Sequence, residues 1–257
     1  MKMIDTHTHL YVEEFDQDRA AVIEHARAAG VETFYLPAID SAYTERMLAL
    51  EEAYPDNIRL MMGLHPTHVK ENAAEELAHV KEMLDKHSFY AVGEIGIDLY
   101  WDKTFLKEQQ AAFEQQIKWA KERKLPIVIH CRDAFDEVFE VLEANKGEDL
   151  FGIFHCFTGT LEQAKRAIGY NLKLGIGGVV TFKNGKIDQF LAQLPLTSIV
   201  LETDAPYLAP APYRGKRNES AYLSLVAKKL SAIYSLPVEE IVNQTTQNAL
   251  AVFETGI

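Results

Sequence analysis

Apolar and polar positions along the chain follow two different periods. Short apolar runs recur roughly every 30 residues, and segments in which apolar residues return every three or four positions lie between them. The first pattern is typical of buried strands, and the second is typical of amphipathic helices. The apolar runs predict eight strands, at residues 3–7, 32–37, 58–63, 89–94, 126–130, 151–155, 172–176 and 198–203.

The segments between these strands predict helices. They lie at residues 15–29, 43–53, 73–86 and 105–124, and two more follow the last strand, at residues 222–234 and 238–253. An alternation of strands and helices is typical of a parallel sheet covered by helices. Eight repeats predict a single-domain α/β protein with a closed TIM-type (β/α)8 barrel, and an open doubly wound sheet is the alternative.

Histidines and carboxylates stand at or just after the ends of the predicted strands. They are His7 and His9 on the first strand, Glu94 on the fourth, His130 on the fifth, His155 on the sixth and Asp204 on the eighth. The carboxyl ends of all strands meet at one mouth of a barrel, so we expect these side chains to converge there. Ligands from the first and eighth strands are neighbours only if the sheet closes, which favours the barrel over the open sheet.

The residue types at this mouth point to a metal site. His7 and His9 are two positions apart, so their side chains point to the same side of a strand and can share one ion. Imidazole and carboxylate groups together suit zinc or manganese, and carboxylates also suit magnesium. The sequence therefore predicts a hydrolytic metal centre at the carboxyl ends of the strands.

Length and composition are those of a globular protein. The chain has 257 residues, of which 47% are hydrophobic and 25% are charged, which is enough for one large domain over residues 1–257. No apolar stretch approaches the ~20 residues of a membrane-spanning helix, and the first strand begins too early for a signal peptide. We therefore expect a cytoplasmic protein with no membrane partner.

Net charge restricts how this chain can bind nucleic acid. A net charge of -12 and a pI near 5.2 exclude a broad cationic surface for duplex DNA, but they allow a local grip on phosphates. Candidates for that grip are Arg132 and the basic run of Arg214, Lys216 and Arg217, since guanidinium groups match phosphate oxygens. The alternative for the basic run is a solvated loop paired with an acid such as Glu219.

Two other residues are candidates for substrate contact. His65 follows the third strand, where it either reaches the substrate or serves the structure. Tyr207 lies three residues after Asp204 and either stacks on a base or forms a wall of the mouth.

The two cysteines each follow a predicted ligand. Residues next to an inward-pointing one face outward if the strand continues, so we expect Cys131 and Cys156 to pack beneath the helices. We expect both to be free thiols, because a disulfide is unfavourable in a reducing cytoplasm.

Several motifs in fixed order resemble the TatD family of metal-dependent hydrolases, within the amidohydrolase-like barrel superfamily. They are DTHTHL at residues 5–10, GEIGID at 93–98, HCRDA at 130–134, HCFTG at 155–159, LETDAP at 201–206 and RGKRNE at 214–219. The resemblance runs from end to end of the chain. It implies a TIM-type barrel, one or two metal ions, and deoxyribonuclease or related phosphodiester hydrolase activity, often described as removal of nucleotides from DNA 3′ ends.

Two positions depart from the family pattern. Tyr11 stands where the family usually has Asp or Asn, and Ser220 stands where proline commonly follows Asn-Glu. Both lie outside the predicted ligands, so we expect them to affect the range of substrates rather than hydrolysis itself.

The resemblance also implies how the ligands divide between two ions. One set is His7, His9, Glu94 and Asp204, and the other is His130 and His155 with Glu94 shared between the two ions. A carboxylate suits the shared position because its two oxygens can each bind an ion, whereas an imidazole offers one nitrogen at a time. The two divalent ions, Mg, Mn or Zn, then activate a water for attack on a phosphodiester.

Three acidic residues each have more than one interpretation. Asp204 either accepts the proton of the attacking water or serves only as a ligand. Glu202 lies two residues earlier and faces the same interior, where it tunes a ligand, helps to hold an ion, or bonds to a neighbouring strand. Asp98 either orients a ligand or braces its own loop.

Two other classes of function remain as alternatives. The first is a metal-dependent amidohydrolase that acts on a small cyclic amide or ester by the same attack of activated water. Glu94 stands where many cyclic amidases use a modified lysine, and the basic loop favours an anionic phosphoester instead. The second is a partner-binding barrel with a residual metal, but no segment resembles a dedicated docking element, so we expect no obligate protein partner.

Overall fold

Eight strands form within residues 2–254, the part of the chain that the computed structural model describes. They are β1 (Met3–Asp5), β2 (Val31–Leu36), β3 (Ile58–Leu60), β4 (Val92–Asp98), β5 (Ile127–Arg132), β6 (Gly152–Phe154), β7 (Leu172–Ile176) and β8 (Ile199–Leu201). Strands β1 to β3 form one hydrogen-bonded sheet, strands β4 to β8 form another, and every neighbouring pair is parallel.

Backbone contacts at two seams close these sheets into one barrel. At the first seam, Met62 after β3 forms a bridge with Val92 of β4. At the second seam, Thr8 after β1 forms a bridge with Ala205 after β8, and the N–H of His9 donates to the Ala205 carbonyl over 2.7 Å. The predicted TIM-type barrel is confirmed.

Helices surround the barrel and connect most of the strands. They are α1 (Arg19–Ala28), α2 (Thr44–Ala53), α3 (Ala73–Lys86), α4 (Leu106–Arg123), α5 (Phe135–Ala144), α6 (Leu161–Gly169), α7 (Leu223–Tyr234) and α8 (Val238–Phe253). Helices α3 and α8 have the predicted bounds, whereas α1 begins four residues later than predicted because Glu13–Phe15 forms a separate 3-10 turn.

The connection from β7 to β8 departs from the expected repeat. Within the described chain it contains no α-helix, only short 3-10 turns between Gly178–Thr181 and Leu196–Ser198. The segment includes an Asn-Gly pair and Pro195, which favour turns over a continuous helix. Seven strands are thus followed by an α-helix in the described part of the chain, and β7 is followed by turns.

Strand β4 lies further along the chain than the predicted strand at residues 89–94. Glu94 is therefore inside the strand, and the residue at its end is Asp98. The pairing of β4 with β5 shifts between Gly93 and Ile95, so Glu94 has no partner in this ladder. Such a bulge re-aims a side chain, which here reaches the centre described below.

The amino-terminal end of the barrel is filled with apolar side chains. The strands and the residues next to them contribute Ile4, Tyr35, Met61, Ala91, Val128, Ile153 and Val200, and α8 contributes Ala249, Val252 and Phe253. The rings of Tyr35 and Phe253 are stacked with their centroids 3.7 Å apart. Helix α8 therefore seals this end, and the cavity bordered by the predicted ligands opens at the opposite mouth.

No helix among residues 2–254 is both long enough and apolar enough to cross a membrane. The helices are instead amphipathic, and their buried residues join the strands in a second, larger apolar cluster outside the barrel.

Candidate metal centre

A cavity of about 830 Å³ opens at the carboxyl ends of the strands. Its lining includes His9, Glu94, His130, His155 and Asp204, which are five of the six predicted metal ligands. The sixth, His7, is fully buried directly behind them. Residues that are far apart in the sequence thus meet where the barrel architecture predicts a site.

The Glu94 carboxylate lies at the middle of this group and is only 2% exposed. Its Oε2 atom lies 3.1 Å from His7 Nε2 and 3.6 Å from His9 Nε2. Its Oε1 atom lies 2.8 Å from His130 Nδ1 and 3.3 Å from His65 Nε2. Each oxygen therefore faces a different pair of imidazoles, which is the arrangement that a bridging ligand requires.

Asp204 forms the second carboxylate of the group. Its Oδ1 atom lies 3.5 Å from His9 Nε2 and 3.9 Å from both His7 Nε2 and His155 Nε2. The His155 ring is stacked on the His7 ring with a centroid separation of 3.4 Å, and His155 Nε2 is also 3.7 Å from Glu94 Oε1. His155 thus stands between the two carboxylates.

Potential ligand atoms cluster in four sets of three among the described residues. In each set the atoms lie within 4.8 Å of one another, and the sets are His7, His9 and Glu94; His7, His155 and Asp204; His65, Glu94 and His130; and His155, Cys156 and Glu202. Most of these sets combine imidazoles with a carboxylate, which are donors that zinc and manganese accept. The residues present therefore fit divalent cations.

The clustering differs in one respect from the division expected from the sequence. His155 was expected beside His130, but the structure groups it with His7 and Asp204. His65, which was expected only as a substrate contact or a structural residue, takes the place beside Glu94 and His130.

The pKa values of the side chains in this group are set by two opposing effects, burial and nearby charged or hydrogen-bonding partners. Burial alone raises the pKa of Glu94, but His65 and the other histidines around it hold that pKa well below its usual range. Burial opposes the charge on His130, but hydrogen bonds with Asp98 and Glu94 raise its pKa to about 9. Burial lowers the pKa of His65 to about 4, so this ring is neutral at pH 7. The ionised Glu94 carboxylate thus lies between two imidazoles whose pKa values are shifted in opposite directions.

Tyr11 holds one of the histidines in place. Its hydroxyl donates to the Pro37 carbonyl over 2.6 Å and lies 2.9 Å from His9 Nδ1. The hydroxyl proton is donated to the Pro37 carbonyl, so the tyrosine oxygen accepts from His9 Nδ1–H. The lone pair of His9 Nε2 is then available to bind a metal ion. The spacing of residues 7, 9 and 11, each two positions apart, is a signal for this contact, but we expected Tyr11 to affect only the substrate range.

Asp98 satisfies both of its predicted roles. Its Oδ2 atom lies 2.8 Å from His130 Nε2, and its Oδ1 atom accepts from the backbone N–H groups of Tyr100 at 3.0 Å and Trp101 at 3.5 Å. The side chain of Gln109 accepts from the Asp98 N–H over 2.8 Å. One carboxylate therefore connects a predicted ligand to the loop that follows β4.

Glu202 lies behind the centre and is fully buried. Its Oε1 atom accepts from the Cys156 N–H over 2.7 Å and lies 2.9 Å from His155 Nδ1, a contact with the distance of an ion pair but without regular hydrogen-bond geometry. The space it fills requires a glycine at 175, since a Cβ there would lie 2.0 Å from Glu202 Oε2. This position supports the interpretation in which Glu202 tunes His155.

A buried network joins β1 to the residues that follow β8. Asp5 Oδ1 accepts from the Thr203 N–H over 2.9 Å, and Asp5 Oδ2 accepts from the Thr203 hydroxyl over 2.6 Å. Ser220 is fully buried, and its hydroxyl lies 3.4 Å from the Thr8 hydroxyl. The second position that departs from the family therefore lies in this seam, outside the lining of the cavity.

Three of the four predicted cationic contacts border the cavity. Arg132, Arg214 and Lys216 belong to its lining, and the Arg214 guanidinium lies 3.6 Å from the centroid of the Phe182 ring. Arg217 lies outside the lining, where its two terminal nitrogens donate to the two carboxylate oxygens of Asp18 over 2.8 and 2.7 Å. The solvated, ion-paired alternative therefore describes Arg217 but not its neighbours.

Tyr207 and the two cysteines also border the cavity. Tyr207 is 46% exposed and meets the His9 ring edge to face at 5.9 Å. Cys131 and Cys156 are free thiols, as expected. Cys131 borders the cavity but also packs against the larger apolar cluster, as expected, whereas the expectation that Cys156 packs away from the site is wrong. The chain leaves the extended conformation after β6, where Cys156 has a φ of 42°, so strand alternation does not apply to it.

Comparison with known sequences shows a match over almost the whole chain. The sequence model of the family described as "TatD related DNase" matches residues 4–254. An uncharacterized metal-dependent hydrolase from Bacillus subtilis, YabD, is 39% identical over 252 residues, which cover 98% of each chain. A protein from Pantoea vagans named "3′-5′ ssDNA/RNA exonuclease TatD" is 29% identical over 98% of this chain and 99% of its own length.

A solved structure agrees with the architecture described above. The crystal structure of YjjV, a TatD homologue from Escherichia coli, superposes with a TM-score of 0.92 and 32% sequence identity over 98% of both chains. The similarity therefore extends to the whole barrel and is not limited to the motifs around the centre.

Proposed function

The chain belongs to the family of TatD-related DNases, which includes metal-dependent hydrolases, and from this we propose that it hydrolyses phosphodiester bonds in DNA. The proposed activity is that of a divalent-metal-dependent deoxyribonuclease that releases nucleotides from 3′ ends. One observation carries this proposal: the Glu94 carboxylate has imidazoles at both oxygens, at the bottom of a cavity with a cationic rim.

The histidines and carboxylates divide into two overlapping sets of proposed ligands. His7, His9 and Asp204 would hold one divalent ion together with Glu94, and His130 would hold a second one with His155 or His65. Bound there, two ions of magnesium, manganese or zinc would supply Lewis-acid activation of a water and would offset the negative charge of a phosphodiester.

Asp204 is the proposed acceptor for the proton of the attacking water. Burial alone raises its pKa, but His155, His9 and His7 lower it below its usual value, so the carboxylate is ionised at neutral pH. A carboxylate in that state next to the reacting water meets the requirement for a general base. Glu94 and Glu202 act through the groups they contact, since Glu94 lies among the ligands and Glu202 contacts the Cys156 N–H and the far nitrogen of His155.

The rim of the cavity supplies the proposed hold on the substrate. Arg132, Arg214 and Lys216 stand at the rim of a protein whose net charge is -12, so they form a local attraction for phosphates. Tyr207 provides an exposed ring beside His9 for a base. A small neutral amide or ester, the substrate class of the alternative amidohydrolase, would gain no electrostatic attraction from these cations.

Metal reconstitution tests this proposal and separates it from the alternative. The protein is stripped of metal, reloaded with magnesium, manganese or zinc, and assayed on a 5′-labelled single-stranded oligonucleotide, bis(p-nitrophenyl) phosphate and a cyclic amide. We expect metal-dependent shortening of the oligonucleotide from its 3′ end, and no shortening in excess chelator. Metal-dependent opening of the cyclic amide without cleavage of either phosphodiester would instead establish the amidohydrolase.

A further inference from the structure

Exposed apolar surface is concentrated around the mouth of the cavity. Within the described chain, four large apolar side chains are strongly exposed: Tyr100 at 52%, Trp101 at 71%, Tyr207 at 46% and Leu208 at 36%. Three of them belong to the cavity lining, and the fourth, Tyr100, is stacked on Arg132, which also belongs to it. Exposed apolar surface gathered at one place marks a binding site rather than ordinary surface variation.

Three of the side chains at this mouth form a set of contacting planar groups. The Arg132 guanidinium carbon lies 3.6 Å from the centroid of the Tyr100 ring and 5.4 Å from that of Trp101. The Tyr100 and Trp101 rings meet edge to face at 4.8 Å, with an angle of 90° between their planes. Of the two rings, the indole of Trp101 is the more exposed and has the larger π surface.

The backbone that carries these rings is tied to the metal centre. The Tyr100 and Trp101 N–H groups donate to Asp98 Oδ1, while Asp98 Oδ2 contacts His130. The N–H of Leu99 also donates to the Arg132 carbonyl over 2.9 Å. The backbone that carries the rings is therefore tied to His130 through Asp98 and to Arg132 through Leu99.

Tyr207 contacts a different histidine of the centre. It contacts His9, which faces Glu94 Oε2, whereas the rings after β4 are tied through Asp98 to His130, which faces Glu94 Oε1. A phosphate bound between these histidines would thus have exposed aromatic rings on two sides.

We infer that Tyr100, Trp101 and Arg132 form a nucleobase-stacking subsite on the His130 side of the centre. The inference rests on the proposed phosphodiesterase function: a base next to the phosphate under attack stacks on Trp101, and Arg132 lies over Tyr100 within reach of the backbone charge. Aromatic rings stack on any base, so this subsite selects unpaired nucleotides without selecting sequence. A nucleotide is favoured over an apolar peptide because cationic Arg132, Arg214 and Lys216 share the same mouth.

Substitution of Trp101 tests the subsite through the Michaelis constant. We expect Trp101→Ala to raise KM for a single-stranded oligonucleotide by about 10-fold, with kcat changed less than about 2-fold. Trp101→Phe keeps a π surface and should restore most of the affinity. The same comparison on an oligonucleotide with abasic residues at its 3′ end should show no effect of Trp101→Ala, because no base remains to stack.

Intrinsic fluorescence gives a readout that needs no hydrolysis. The chain has two tryptophans, of which Trp101 is 71% exposed and Trp119 is only 7% exposed. Adenosine monophosphate, which contains no phosphodiester bond, should quench the fluorescence of the metal-loaded protein, and inorganic phosphate at the same concentration should not. The Trp101→Phe variant retains Trp119 and should lose this quenching.

The possible outcomes separate the subsite from the proposed function. Quenching by adenosine monophosphate that disappears in Trp101→Phe supports the subsite even if no phosphodiester is cleaved, a result that would reject only the nuclease proposal. Unchanged KM in Trp101→Ala, an equal loss on abasic substrate, or absence of quenching in the wild type would each overturn the subsite.

Discussion

The two ends of the barrel are built from the same strands but have opposite character. Strand β5 contributes Val128 to the amino-terminal end and His130 to the mouth, and the chain around β8 contributes Val200 to one end and Asp204 to the other. The amino-terminal end is apolar and sealed by α8, whereas the mouth holds buried carboxylates and imidazoles.

This difference indicates that the amino-terminal end mainly stabilises the fold, whereas the mouth carries the chemistry. Burial of apolar surface at the sealed end favours folding, whereas burial of charged groups at the mouth costs free energy unless they are paired or bound to a metal. Proteins retain such costly groups where function requires them. Substitutions at the mouth should therefore reduce activity with little loss of stability, and substitutions at the sealed end should do the reverse.

The largest expected effect is on activity, at Glu94. We expect Glu94→Gln to lower kcat/KM for the oligonucleotide by about 1000-fold or more, since the amide keeps the shape but loses the charge and the bridging ability. Asp204→Asn should have a similar effect. The measurements are initial rates and metal content by elemental analysis, with folding checked by circular dichroism. Near-normal turnover in both folded variants would show that the metal centre is assigned to the wrong residues.

The next effect is on stability, at Phe253. Phe253→Ala removes the ring that stacks on Tyr35, and we expect a loss of about 3 kcal/mol in the free energy of unfolding, measured by urea denaturation. Leu250 only borders the same cluster, so Leu250→Ala should cost clearly less. The activity of each variant per folded molecule should match the wild type. A loss of activity without a loss of stability would contradict the separation of the two ends.

A smaller effect is expected at Tyr11, which touches a ligand but not the cavity. Tyr11→Phe keeps the ring and removes the acceptor for His9 Nδ1–H, so we expect metal affinity to fall by about 10-fold. Titration calorimetry on metal-stripped protein measures the affinity, and NMR of the histidine nitrogens reports the His9 tautomer. Tyr43→Phe is the matched control, because its hydroxyl contacts Glu13 instead. Equal affinities for all three proteins would limit Tyr11 to packing.

The smallest effect distinguishes two arginines of one loop. Arg214→Ala should raise KM for the oligonucleotide by about 5-fold at low salt, and this difference should shrink as salt screens the phosphates. Arg217→Ala should change KM less than about 2-fold, because that guanidinium is already paired with Asp18. A larger effect of Arg217→Ala than of Arg214→Ala on KM would reverse the assignment.

Much of the fold and of the centre could be predicted from the sequence. The alternation of periods located all eight strands, and α3 and α8 have the predicted bounds, because these segments carry strong apolar patterns. The ligands could be identified because the carboxyl ends of parallel strands converge in a barrel. The connection between β7 and β8 departs from the repeat of strand and helix. Its glycine and proline residues favour turns there, and apolar spacing does not register this preference.

Other features of the site depended on contacts across the fold. The bulge at Glu94 follows from its pairing with β5, and the approach of His65 to Glu94 follows from the path of the loop after β3. The sequence did not indicate a role for Tyr100 and Trp101, and their contacts with Arg132 are seen only in the structure. Residues Arg214 and Arg217 have the same charge in the sequence, and only the loop conformation separates their partners.

The sequence by itself determined the barrel fold, the end of the barrel that carries the site, and the imidazole and carboxylate groups gathered there. The reason is that hydrophobic period and residue chemistry are local properties of the chain. The tertiary structure alone decided which oxygen faces which imidazole, which cations remain available at the cavity, and which hydroxyl orients His9. These are relations between atoms many residues apart, and their distances are set by the packing of the whole barrel.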